Sequence, residues 1–195
     1  MKSLAAAAAL MAAPLMAGEA MAQQAGSVIV ISAERLLTES TGGRDMAQRL
    51  QAIQQQMQTE LNPEQTWLQQ EEQALAQATQ GQTPDQVRAN QTLARRIETF
   101  NQRAQAFRIR QATAARDFDY TRAQAVNEFN RLAGPIVQEV MSARSAAIVL
   151  DRGMALSANA SVDATEDVMS RLNERVRTVN VTRQSAPVQA QSQQQ

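Results

Sequence analysis

The amino-acid sequence predicts an α+β protein, mostly α-helical, in which a long antiparallel coiled-coil hairpin is inserted into a small β-strand body. Apolar residues recur at steps of three and four along most of residues 44–143, as they do in coiled coils. A turn signal, Gly81 followed by Thr83-Pro84, divides this region into two helices. Short β-branched runs at residues 28–31 and 148–150 flank the helical region and are typical of buried strands.

The first residues have the three parts of a secretory signal peptide. Lys2 supplies the positive charge, residues 4–13 form the apolar run, and Ala20-Met21-Ala22 places small residues before a cleavage site. The apolar run is too short to cross a bilayer. We therefore expect residues 1–22 to be cleaved and the mature chain to be exported.

Composition excludes several functions for the mature chain. Without residues 1–22 it has 18 Arg, no Lys and 18 acidic residues, so it lacks the basic surplus of a nucleic-acid-binding protein. Its lack of His and Cys removes Ser-His-Asp and Cys-His catalysis and all imidazole or thiolate metal ligands. We predict that the protein is no enzyme and has no cofactor, metal or nucleic-acid partner. No cluster suited to lipid or lipopolysaccharide is assigned.

The body is predicted from residues 23–43 and 144–178. Its expected elements are, in order, a strand at 27–31, a helical turn at 33–37, strands at 146–150 and 154–157, and a helix capped by Thr165. So few short elements form too small a core to be stable alone, which indicates oligomerisation. Residues 179–195 lack periodicity and are predicted to be a disordered tail.

The arm is predicted from residues 44–143, with its tip near residues 80–84. If the turn is centred on Gln82, the numbers of facing residues add to 164 or 165, which places Met57 opposite Phe107. The apolar stripe is interpreted as the seam between the two helices, and contact with a client is the alternative. Its residues are Met46, Leu50, Ile53, Met57, Leu61, Leu68, Leu93, Ile97, Phe100, Phe107 and Phe118.

Two prolines are expected to distort the arm. Pro63 lacks a backbone donor and is predicted to bend the first helix without ending it, although Asn62 could also cap a new helix there. Gly134-Pro135 is predicted to break the second helix and to act as a hinge, because Gly134 adds backbone freedom beside the missing donor.

The order of these parts resembles the Skp (OmpH-like) family of periplasmic chaperones. The resemblance extends over residues 27–178 and is carried by two stretches. They are Val28-Ile29-Val30-Ile31-Ser32-Ala33-Glu34-Arg35-Leu36-Leu37, and Ile148-Val149-Leu150-Asp151 followed by Asp163-Ala164-Thr165-Glu166-Asp167-Val168.

This resemblance implies a periplasmic homotrimer whose strands assemble into a joint body. Three hairpins would then surround a cavity that holds unfolded outer-membrane β-barrel proteins without ATP. The expected trimer body core is Val28, Ile29, Val30, Ile31, Ile148, Val149, Leu150, Leu156, Val168 and Leu172. Heptads alone fit an alternative equally well, a structural coiled-coil adaptor of the cell envelope without chaperone activity.

Overall fold

The computed structural model describes residues 27–187. The predicted signal peptide and residues 188–195 of the predicted tail lie outside this range. The chain is mostly helical and contains a small two-stranded sheet. Its elements are β1 (Ser27–Ile31), α1 (Ala33–Glu39), α2 (Thr41–Thr79), α3 (Pro84–Ala89), α4 (Gln91–Ala143), β2 (Ala146–Asp151), 3₁₀ turns at Arg152–Met154 and Ala160–Val162, and α5 (Thr165–Arg175).

The arm consists of α2 and α4, which lie against each other. Their 39 and 53 residues correspond to lengths of about 59 and 80 Å. Both helices continue through their prolines, Pro63 in α2 and Pro135 in α4. The new helix considered at Asn62 is therefore not formed, and the break predicted at Gly134-Pro135 is wrong. Ile136 and Val140 explain the continuity, because both are buried in the body and hold the last turns of α4 in helical geometry.

The turn at the tip follows the predicted chemistry. Gly81 has a φ of 74°, a conformation that favours glycine, and ends the first arm helix. Thr83 and Gln86 form a capping box, and Pro84 occupies the first turn of α3. The sequence pattern does not indicate that this helix stops after six residues. Asn90 leaves helical geometry there, and its side chain accepts a hydrogen bond from the Leu93 amide to begin α4.

The body sheet pairs β1 with β2 in parallel, so that Val28 lies beside Ile148 and Val30 beside Leu150. The strand predicted at residues 154–157 is not formed. Asp151 ends β2 because its carboxylate accepts hydrogen bonds from the amides of Gly153 and Ala33, which turns the chain into a 3₁₀ turn.

The helix α5 begins differently from the prediction that Thr165 caps it. Thr165 is the first helical residue, and its amide donates to Asp163 Oδ1 at 2.9 Å. The buried Thr165 hydroxyl instead accepts a hydrogen bond from the Ser32 amide, also at 2.9 Å. Hydrogen bonding from Thr165 is the main reason that the pKa of Asp163 lies below its ordinary value. This Asp-x-Thr start therefore joins α5 to the end of β1.

One chain forms a larger core than the sequence analysis expected. The ends of α2 and α4 nearest the body contribute Met46, Leu50, Phe129, Ile136 and Val140, which pack with residues of β1, α1 and α5. These residues belong to the arm helices by sequence pattern, so the body predicted from residues 23–43 and 144–178 was too small.

The predicted disordered tail is wrong for residues 179–187. Residues 176–187, here called the C-terminal strap, leave α5 and run back along the arm without forming a helix or strand. Val179 and Val181 are buried in the core, and the Arg183 guanidinium pairs with the Glu60 carboxylate on α2 at 2.8 Å. Three valines, at positions 176, 179 and 181 of a polar sequence, give too weak a periodic signal to be recognised.

Candidate functional site

One face of the body sheet is apolar and partly exposed. Val28, Ile148 and Leu150 are exposed on this face, whereas Val30, which lies beside Leu150 on the same face, is buried. Ile148 is 50% exposed, and Leu156 in the following loop is fully exposed. The outer edge of β2 has no strand partner among residues 27–187. An uncovered apolar face next to an open strand edge is suited to protein association.

The ten residues expected to form a trimer core divide into two groups. Five are buried within the single chain, Val149 is half-buried, and four are exposed on the face just described. The buried five are Ile29, Val30, Ile31, Val168 and Leu172, and the exposed four are Val28, Ile148, Leu150 and Leu156. Only the exposed group is available to another copy of the chain.

All eleven stripe residues lie on the two arm helices and are buried or half-buried. Met46, Leu50, Met57, Leu93 and Phe107 are buried. The half-buried residues are Ile53, Leu61, Leu68, Ile97, Phe100 and Phe118. A two-helix arm covers only one side of each helix, so part of the apolar stripe remains accessible along both flanks.

Ion pairs join the two helices across the seam. Glu64 accepts two hydrogen bonds from Arg103, at 2.9 and 2.8 Å, and Glu71 accepts one from Arg96 at 2.9 Å. The bonds from Arg103 hold the pKa of the Glu64 carboxyl below its usual value. The Arg103 guanidinium also lies over the Trp67 ring, 3.5 Å from its centroid.

The predicted register of the seam is wrong by about one heptad. Met57 and Leu61 line a cavity together with Ala114 and Phe118, whereas Phe107 lines a cavity with Leu68. The separate helix α3 is the physical cause, because it adds length at the tip and moves the centre of the hairpin beyond Gln82. A heptad stripe matches itself after a shift of seven residues, so agreement between stripes did not reveal the error.

We expect a disulfide to form within one chain when Met57→Cys is combined with Ala114→Cys. Oxidation of the otherwise cysteine-free protein, followed by non-reducing electrophoresis, measures this directly. The pair Met57→Cys with Phe107→Cys is the matched control and should remain reduced, because in this register Phe107 lies about two helical turns away from the position opposite Met57. Efficient cross-linking of the control pair instead would restore the original register.

The residues described show no sign of a metal site or a membrane span. Among residues 27–187, no three acidic side chains are grouped in a way that could hold a metal ion. Within the same range, no helix has both the length and the apolar character needed to cross a membrane. Every buried side-chain nitrogen or oxygen in this part of the chain has a hydrogen-bond partner.

Comparison with known proteins shows similarity to a protein family and to solved structures. A family model described as outer membrane protein (OmpH-like) matches residues 27–172. The crystal structure of a proposed outer membrane chaperone (OmpH-like) from Caulobacter crescentus is similar, with a TM-score of 0.68 and 25% sequence identity. The similarity covers 82% of this chain and 90% of the other. A search of curated proteins found no significant match.

Proposed function

Because the chain belongs to the OmpH-like family of outer membrane proteins, we propose that it is a periplasmic holdase chaperone for unfolded outer-membrane β-barrel proteins. The observation that carries this proposal is the extent of the family match, which includes both the body and the whole arm. A protein that acts only through its coiled coil needs no such body. Holding a client requires no chemistry, which agrees with a mature chain that lacks His and Cys.

The proposed assembly is a homotrimer joined by its bodies. The exposed face formed by Val28, Ile148 and Leu150 supports this, because its apolar side chains are in water in the isolated chain. The open edge of β2 also allows its backbone groups to pair with another copy. An isolated two-stranded sheet is marginal in water, and association adds strands. Arms attached to three joined bodies would then enclose a cavity.

The arms offer apolar and polar surface suited to an unfolded client. A barrel-forming chain exposes apolar, lipid-facing side chains and unpaired strands, both of which aggregate in water. The half-buried stripe residues, such as Leu61 and Phe118, provide modest apolar contacts along the arm flanks. With as many acidic as basic residues, the chain has no net charge to attract clients over a distance. Capture therefore relies on short-range contacts.

Dilution of a urea-unfolded barrel protein tests this function. The purified mature protein, without ATP, should suppress the light scattering of the client when present in molar excess as trimer. An inert protein of similar size at equal mass concentration is the control. Scattering that matches this control would support the structural adaptor instead.

The Gly134-Pro135 pair is proposed to let the arm swing relative to the body, although the helix is continuous there. Pro135 removes one backbone hydrogen bond, and space is open around Gly134. Changing both residues to Ala should narrow the distribution of distances between spin labels on the arm tips. A distribution as broad as that of the unchanged protein would show that the arms swing from another point.

A further inference from the structure

The groove beneath the C-terminal strap binds backbone groups. The Val179 amide donates to Asp45 Oδ2 at 3.0 Å, and the Gln184 amide donates to Thr121 Oγ1 at 3.0 Å. The Ala186 amide donates to Asp117 Oδ1 at 2.9 Å. All three acceptors are side chains of the arm helices, and all three donors belong to the main chain of the strap. Such contacts are available to any extended polypeptide, whatever its sequence.

The side chains of the strap follow the pattern of an extended segment. Val179 and Val181 are buried, while Asn180 and Thr182 between and after them are exposed. This alternation with a period of two puts one apolar face into the core and one polar face into water. Over residues 179–182 the groove therefore accepts an extended chain that has apolar side chains at two alternate positions.

We propose that this groove, at the body end of the arm, binds an extended segment of an unfolded β-barrel protein and that the strap is its intramolecular competitor. The inference rests on the proposed holdase function and deepens it. Membrane-spanning β-strands alternate apolar and polar residues with the same period of two. A client strand would place its apolar side chains where Val179 and Val181 lie, and its amides would donate to Asp45, Thr121 and Asp117.

The second half of the strap, residues 182–187, is held by polar contacts and buries no large apolar side chain, which allows it to be displaced. Residues 177–187 belong to no helix or strand, and most of residues 182–187 are exposed. A solvent-open cavity separates part of it from α4, between Gln124 and Glu128 on the helix and Thr182 on the strap. The ion pair of Arg183 with Glu60 is exposed and contributes little. Ordering the strap costs conformational entropy that offsets part of the gain from burying Val176, Val179 and Val181.

Locking the strap with a disulfide tests the proposal in the full-length mature chain. Asp117→Cys combined with Ala186→Cys introduces one thiol on α4 and one on the strap. The two positions are in contact, because the Ala186 amide nitrogen lies 2.9 Å from Asp117 Oδ1. The natural chain has no cysteine, so the oxidant alone changes nothing in the unmodified control. Affinity is measured by fluorescence anisotropy of a labelled, urea-unfolded barrel protein diluted into the chaperone.

The reduced double variant should bind the labelled client about 10-fold more tightly than the oxidised one, because locking removes the client-competent state. Equal affinities in the two redox states would overturn the proposal.

If the disulfide does not form, Val181→Asp in the full chain serves instead. It should release the strap and strengthen client binding, and unchanged or weaker binding would overturn the proposal. If the unmodified protein also binds no client, the holdase function itself fails.

Discussion

Replacing Ile148 and Leu150 together with Asp should convert the proposed trimer into a monomer. In the proposed assembly these side chains leave water, and burial of each contributes about 1.5–3 kcal/mol per chain. Each substitution removes that contribution and places a carboxylate where it has no partner, which costs several kcal/mol more. Both residues are half-exposed in the isolated chain, so its fold should survive. Sedimentation equilibrium at micromolar concentration should give one third of the mass of the unmodified protein.

Ile109→Asp is the matched control for this experiment. Ile109 is a large apolar residue of similar exposure, 61%, but it lies on the arm and not on the body. This variant should remain a trimer. A double body variant that keeps its trimeric mass would show that the copies associate through another surface, and a monomeric Ile109 variant would indicate association through the arms.

Changing Gly43 to Ala should lower the free energy of unfolding by about 3 kcal/mol. This value is at the upper end of the usual cost of overpacking a core. A Cβ atom at this position would lie 2.0 Å from the carbonyl oxygen of Leu37. The obstacle is backbone at the end of α1, so no side-chain rotation relieves it. Gly43 also donates its amide to the Ser40 side chain that caps α2. We expect the melting temperature to fall by about 10 °C in calorimetry at fixed protein concentration.

Gly134→Ala provides the matched control within the other arm helix. A Cβ atom at Gly134 meets nothing within 4 Å. Alanine is the better helix former, so this change should raise stability by up to about 1 kcal/mol. If both substitutions had the same small effect, the close approach of α1 to α2 at Gly43 would not exist in solution.

The long helices and their tip were accessible from sequence because each depends on local signals. The heptad spacing predicted two arm helices, and Gly81, Thr83 and Pro84 predicted where the chain turns. The register was not accessible in the same way. It depends on the length of chain at the tip, and the break at Asn90 that sets this length competes with an otherwise good helical sequence.

Tertiary packing explains the other differences. Gly134-Pro135 has the sequence of a helix break, but burial of the following Ile136 and Val140 favours a continuous helix. The strap shows the opposite case, since its polar sequence predicts disorder and its fixed course depends on Asp45, Thr121 and Asp117 of the distant arm helices. Such long-range contacts leave no periodic signal in the segment itself. The exposure of Ile148 and Leu150 likewise depends on which face of the sheet the helices cover.

The most direct test of the proposed chaperone is the mass of its complex with a client. The purified mature protein is mixed with a urea-unfolded barrel protein, diluted out of urea, and analysed by native mass spectrometry. We expect a complex of three chains with one client, and no complex for the variant with Asp at positions 148 and 150. A client bound to a single chain, or a trimer that binds no client under conditions where the client alone aggregates, would contradict the proposed function.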